Sequence, residues 1–510
     1  MRQAYGLVAI AVAGCAVPAS ESQSSQLQLP AAPPPAPRTW RPLANSAPFF
    51  GAGAPALMHD GTVLVQELET TQWWKLTPDA NGGYDHGTWS KIAPGVPGYQ
   101  PLYYASATLP DGRFIVEGGE YNGGPAVWTT LGAIYDPRTD SWRKMTPPAS
   151  WTSIGDASGI VLPNGTFMLS DCCSKSNALL DPVNLTWTPT GDGKADINDE
   201  ESWALLPDGR VLTVDANNLA NLKLSEVYDP ATGHWTAIGD VPDKLADTNP
   251  DNSGSHEVGP EVMRADGTVL AFGGTQHNAV FDTATMTWSA LPDFVMGIDV
   301  ADGPAALLPN GDVLVIASPG VFQSPVHFYE VHGSTFMELT STTAEAASTT
   351  SYMYSLLVLP TGEIFMTDQQ SDIELYTPAP GVTENAVPVI LAAPQPVGIT
   401  TPIADTSPVT SLYRGRVYSV PVRRMNGISQ GAYYGDDLQT STNFPIVRVT
   451  NTDTGHATYC RTHDHSNRSI APDERGTTQF DVPDTLERGP SQLVVIANGI
   501  ASPPIDVNVK

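Results

Sequence analysis

A chain of 510 residues, 41% hydrophobic and 15% charged, holds enough apolar material for packed cores and too little charge to stay disordered; its length calls for two or more domains. Its 25 basic residues against 54 acidic ones give a net charge of −29, which argues against nucleic acid or an anionic membrane surface as the main partner, since both need a basic patch. Such acidity suits cations, polyols or neutral sugars, and much of it is explained simply by a solvated surface that keeps the chain soluble.

In chain order, the first element reads as an export signal. Arg2 supplies a weak positive start, and Leu7 to Gly14 form a short apolar stretch, well under the ~20 residues that span a bilayer. The stretch ends in Val12-Ala13-Gly14-Cys15, which resembles a bacterial lipoprotein box. Residues 1–15 are therefore expected to be a lipoprotein-type signal peptide with Cys15 lipidated, an ordinary cleaved signal being the alternative. Residues 16–37, rich in Ser, Gln, Pro and Ala, are expected to form an extended tether without a core. The protein is thus expected outside the cytoplasm, as an outer-membrane or cell-surface lipoprotein or in a periplasmic or secreted form. It would meet a membrane only through the N-terminal anchor and act as a monomer.

Residues 38–380 are dominated by a repeat. Seven segments place a Pro-Asp-Gly-like turn between two apolar strands, as in TLPDGRFIV and LLPDGRVLT. Their turn glycines are Gly61, Gly112, Gly165, Gly209, Gly267, Gly311 and Gly362, spaced by 51, 53, 44, 58, 44 and 51 residues. Asp-Gly or Asn-Gly between apolar runs is a strong hairpin signal, because these residues accept positive φ. A mean period of about 50 is that of kelch repeats, which the segments resemble. Trp89, Trp142, Trp187, Trp235 and Trp288 mark fourth strands and are read as packing between sheets. The seventh unit lacks such a strand, and Trp40 sits near the N-terminus, so the strand around it is expected to complete the last sheet and close the ring. The expectation is an all-β fold, a seven-bladed β-propeller of the kelch type. Residues 381–510 alternate apolar and polar positions between turn signals, as an immunoglobulin-like β-sandwich would.

A propeller followed by a sandwich, with the C-terminal stretches TNFPIVRVT, YCRTHDHS and SQLVVIANGIASPP, resembles galactose oxidase, glyoxal oxidase and their bacterial relatives. The resemblance covers residues 38 to 510 and implies an early-set sandwich domain. It implies that a sandwich hairpin threads the propeller axis and brings one copper-ligand histidine, here His463. It also implies a copper-radical site with a second His, two Tyr and a Cys linked to one of them. Counting back from the turn glycines gives Tyr352 and Met353 where that family has Tyr-His, Asp156 for the linked Tyr, and Tyr103 for its Cys. Copper-radical residues are thus largely lost.

The same count brings another set to the axis. Tyr103, Asp156, Glu200, Glu257, Asp302 and Tyr352 fall at equivalent positions to within one residue, with Glu201 and Asp299 beside them. His463 and His465, two apart on a strand, are expected to join them as metal ligands. Carboxylates brought close together bind a cation, pair with a base or shift upward in pKa. With histidines they suit a divalent cation, calcium, zinc or copper, the oxygen-rich set favouring calcium. With tyrosines they suit a carbohydrate or other small-molecule ligand, or acid/base catalysis. Taken singly, each acid is better explained by capping a turn or accepting backbone N–H bonds between blades; it is the set that points to a ligand or an ion. Cys172 and Cys173 stand where other units have Gly-Gly and read as small buried residues, with a vicinal disulfide or a bond to Cys460 as alternatives.

Two classes of function remain. One is a binding protein on this scaffold, without copper-radical activity. The other is an enzyme: an oxidase of the galactose or glyoxal oxidase kind, or a carboxylate-based hydrolase or lyase.

Overall fold

The computed structural model describes residues 38–248, 254–340, 345–398, 409–435 and 440–510. The signal, lipidation and tether expectations, Cys15 included, lie outside the described residues.

Each repeat becomes one antiparallel sheet, and seven such sheets run from residue 39 to residue 377 among the described residues. The second is representative: Ala105–Thr108, Phe114–Glu117, Gly132–Asp136 and Ser141–Lys144 pair in chain order. All seven turn glycines join the first strand to the second with φ between +74° and +93°, a left-handed conformation that glycine adopts without a Cβ clash. First strands are buried on both faces, as in Ala52–Leu57 and Val258–Met263, because they line the axis while neighbouring sheets cover their flanks.

The fourth-strand tryptophans staple sheet to sheet. Trp142 donates its indole N–H to Ala93 O (3.0 Å), Trp187 to Thr146 O (2.8 Å), Trp235 to Asn177 Oδ1 (2.7 Å) and Trp288 to Ser225 Oγ (2.8 Å). Each acceptor belongs to the preceding sheet or to the segment leaving it, so a large apolar ring is buried with its polar edge satisfied.

Closure follows the expected route. Thr39–Pro42 pairs antiparallel with Glu374–Thr377, placing Trp40 opposite Tyr376. The Trp40 ring packs on Phe328 (centroids 5.2 Å) and Tyr376 (4.7 Å), joining the sixth sheet to the seventh. Among the described residues each of the seven propeller sheets has at least four strands.

Beyond residue 388 the chain forms two further sheets that face each other. Tyr418, Val420 and Val422 of Val417–Arg423 and Phe480 of Arg475–Asp481 meet Val447, Val449, Leu493 and Val495 of the opposite sheet in one core. Cys460 is buried in that core as a free thiol. This sandwich rests on the turn-glycine end of the propeller. Thr462 N–H donates to His59 O (3.1 Å), Arg468 N–H to Pro163 O (2.8 Å) and an Arg461 guanidinium N–H to Asp111 O (3.1 Å). One segment goes further: Ala432–Tyr433 pairs with the first strand of the sixth sheet, Ala305–Leu307, and so enters the propeller interior.

Candidate functional site

At the end of the first strands opposite the turn glycines, the backbone repeats an unusual feature. Tyr103 (φ 52°), Glu200 (φ 60°) and Asp302 (φ 48°) are left-handed, as are Gly155 (φ 71°) just before Asp156 and His256 (φ 69°) just before Glu257. Non-glycine residues rarely adopt this conformation, and where several do so together the surrounding fold must hold them. In these five sheets the left-handed residue lies at, or just before, the residue whose side chain faces the axis.

There they enclose a cavity of about 310 Å³. Tyr103, Asp156, Glu200, Glu257, Asp302 and Tyr352 all line it, so the count from the turn glycines brings these six together. Glu120, Tyr121, Phe322 and Tyr434 complete the lining and have no counterpart in the repeat. Glu120 and Tyr121 follow Gly118-Gly119 at the end of a second strand, a position the Gly-Gly signal could have flagged. Phe322 comes from the excursion after Val313–Pro319, and Tyr434 follows the strand Ala432–Tyr433.

Five expected residues lie elsewhere. Glu201 follows the left-handed Glu200 and points away from the cavity, accepting from Lys194 Nζ at 2.8 Å. Asp299 stays on the short strand Ile298–Asp299, where its carboxylate accepts the Ala301 N–H. Met353 packs into the apolar cluster between the sixth and seventh sheets. His463 and His465 are at the far end of the molecule. The strand Thr462–His463 is held in the sandwich by pairing with Arg475–Asp481, and neither histidine lines the cavity. His463 bonds Asp464 Oδ2 (2.9 Å) and Asp481 Oδ1 (3.3 Å), while His465 bonds Thr478 Oγ1 (2.9 Å) and packs on His59. The segment that reaches the axis is therefore the one carrying Tyr434. The reading of Cys172 and Cys173 as mere small residues is also corrected, because they are joined by a disulfide.

The cavity is acidic and aromatic. Glu200, Glu257 and Asp302 each offer a carboxylate oxygen, and these oxygens lie within 4.8 Å of one another. No Lys, Arg, His or Cys lines the cavity among the described residues. Burial, then repulsion from Glu257 and Asp302, pushes the Glu200 carboxyl well above its usual range. Burial also pushes Asp302 up to about 6, although a hydrogen bond from Glu257 opposes the rise. Asp156 and Glu120 are raised for the same first reason, loss of water around the charged form. The Tyr103 ring lies 6.3 Å from those of Tyr434 and Tyr352, and Phe322 meets Tyr352 edge-on at 5.0 Å.

Behind this wall Lys194 is fully buried. Its ammonium donates to Asp196, Glu201 and Glu226 at 2.8 Å each and to Asp215 at 3.3 Å, and it sits over the Trp235 ring. This cage fixes both ends of the 194–201 loop, which carries Asp199 and Glu200.

No family model matches the chain, and no curated protein does. Among solved structures it is similar to a fungal alcohol oxidase of the AA5 family in complex with copper, at TM-score 0.52 and 14% identity over 93% of this chain and 99% of that one. It is also similar to a streptogramin B lyase, at TM-score 0.45 and 12% identity over 66% of this chain and 97% of that one. At such identity the likeness speaks for the fold alone: the scaffold is a galactose oxidase-like, all-β propeller.

Proposed function

We propose that this chain is an exported, lipid-anchored protein whose axial cavity binds a hard divalent cation of the Ca²⁺ class, and through it a carbohydrate or other polyhydroxy ligand. The observation that carries this reading is the approach of Glu200, Glu257 and Asp302 to within 4.8 Å in a cavity whose lining has no basic side chain. Three such carboxylates cannot all be ionised without a counter-charge. They come from three different sheets, each at a left-handed residue or just after one, so their spacing is set by the scaffold before any ligand arrives. Carboxylate oxygens are the donors Ca²⁺ takes, and the aromatic faces of Tyr103, Tyr352 and Phe322 suit the C–H faces of a sugar ring.

Copper-radical chemistry does not fit these residues. Cu(II) favours imidazole, and among the described residues neither imidazole nor thiolate is present in the lining. A second reading, a carboxylate-based hydrolase or lyase, is favoured by one observation. Asp302, near 6 and hydrogen-bonded to Glu257, is poised to exchange a proton near neutral pH.

Thermal melts of the metal-stripped chain with Ca²⁺, Mg²⁺, Zn²⁺ or Cu²⁺, then with Ca²⁺ plus neutral sugars, test the proposal. Calcium should raise the melting temperature most, and a sugar should raise it further only when calcium is present. A shift with copper alone, together with peroxide release from galactose, would favour an oxidase instead.

A further inference from the structure

The cavity wall behind Asp156 holds chemistry that the cation reading leaves unused. Cys172 and Cys173 follow the strand Phe167–Ser170 and form a disulfide between adjacent residues. Cys172 is fully buried, whereas Cys173 is exposed. The chain passes Cys172 closely at Gly155, where a Cβ would lie 2.5 Å from the sulfur, so only glycine lets the following Asp156 sit beside it. Asp156, Asp199 and Cys172 each offer one ligand atom, and these three atoms lie within 4.8 Å of one another. An independent observation points to a missing partner. Asp156 is 8% exposed, and its Oδ1 is buried without a hydrogen-bond partner. A buried acceptor left in that state asks for a proton donor or a cation.

We propose that reduction of the Cys172–Cys173 disulfide turns this wall into a second cation site, for a borderline-soft divalent ion of the Zn²⁺ class, held by the Cys172 thiolate with the Asp156 and Asp199 carboxylates. In the oxidised protein the sulfur carries no charge and is a poor ligand, because the thiolate is the metal-binding form. Zn²⁺ accepts sulfur and oxygen together, whereas Ca²⁺ takes oxygen alone, so the two sites differ in preference as well as in residues.

The redox step is ordinary thiol–disulfide exchange with an external dithiol. A thiolate of the dithiol attacks the exposed Cys173 sulfur, the S–S bond breaks, and Cys172 leaves as a thiolate. The second thiol of the reductant then displaces Cys173, which leaves as a thiolate and takes a proton. The reductant departs as its own disulfide, so two electrons have passed to the protein. The arriving ion holds the Cys172 sulfur in its deprotonated form.

The test titrates Zn²⁺ into the full chain, oxidised or reduced, after the dithiol has been removed without air. The reduced protein should bind one more Zn²⁺ than the oxidised one. Co²⁺ in place of Zn²⁺ should give thiolate-to-metal charge-transfer absorption. Cys173→Ser leaves the Cys172 thiol free without any reductant and should bind the extra ion directly. Asp156→Asn should weaken that ion by at least about tenfold. Cys460→Ala, with its thiol buried in the sandwich, and Glu257→Gln, at the hard-cation site, should both keep it. Equal zinc stoichiometry in the oxidised and reduced proteins would overturn the proposal, as would a folded Cys173→Ser chain with no extra ion. Loss of calcium binding in Glu257→Gln alone bears on the hard-cation site and leaves this one standing.

Discussion

The hydroxyl of Tyr434 donates to the backbone carbonyl of Tyr352 across 2.6 Å and so ties the C-terminal segment to the seventh sheet at the mouth of the axial cavity. Tyr434 follows a strand seated on the sixth sheet, and the ring of Tyr103 from the second sheet lies parallel to it. One side chain thus holds three parts of the cavity together.

Tyr434→Phe keeps the ring and loses the donor. It should lower stability by about 0.5–1.5 kcal/mol, the net worth of one hydrogen bond, in chemical denaturation. Sugar binding should weaken more than calcium binding, because the lost group faces the aromatic side of the cavity. No change in either quantity would mean that the contact contributes nothing.

Ring closure by the N-terminal strand is tested at Trp40. Its ring bridges Phe328 and Tyr376, so Trp40→Ala leaves a void between the sixth and seventh sheets. The half-buried site should lose about 2–4 kcal/mol, read from the midpoint and slope of urea unfolding. A variant as stable as the parent would argue against closure by this strand.

Among the described residues Lys194 is the one cation paired with four buried carboxylates, those of Asp196, Glu201, Asp215 and Glu226. Lys194→Met keeps the volume and strands those charges, so it should destabilise the chain by about 3–5 kcal/mol. Adding Glu201→Gln should recover part of the loss, because it removes one of the stranded charges. Calcium affinity should fall in the single variant too, since the cage positions Glu200. Unchanged affinity would confine Lys194 to a role in stability.

The sequence carried the scaffold well and the site in part. Turn glycines recur because each hairpin needs a left-handed residue, and a fixed strand length then sets every first-strand start nine or ten residues earlier. That is why six cavity residues could be counted off. Glu201 and Asp299 failed because the left-handed turns at Glu200 and Asp302 aim only one residue of each group at the axis, leaving Glu201 to Lys194 and Asp299 to the Ala301 N–H, which proximity in sequence does not express. Tyr434 and Phe322 come from segments outside the repeat, with no register to count from. The two histidines were carried by resemblance to a threaded hairpin, yet the strand Thr462–His463 is held by pairing within the sandwich. Lys194 gave no signal, since a lysine in a loop ordinarily faces water.

Stability should fall with rising pH in the cation-free protein. Burial raises Asp302 to about 6, Asp215 and Asp299 to about 7, and Glu261 to about 8. In the unfolded chain such groups titrate near about 4, so between about 4 and 8 the native state binds more protons than the unfolded one. Stability due to these carboxyls is therefore full at the acid end and lost as pH rises through their native values. His59 and His465, held neutral by burial, act oppositely below about 6.5, but they are two against many. The melting temperature should drop from pH 5 to pH 8, and added calcium should restore more of it at pH 8, where protons no longer compete. A melting temperature that rises across this range would contradict the assignment.

The most direct test is calorimetric titration of Ca²⁺ into the metal-stripped full chain near pH 7.5, compared with Glu200→Gln and Glu257→Gln. One calcium per chain is expected in the parent protein. Each variant should bind it at least about tenfold more weakly, since each loses one of three carboxylate ligands, while keeping a cooperative melt. No heat of binding in the parent chain, or the same affinity in folded variants, would contradict the central claim that these carboxylates form a cation site.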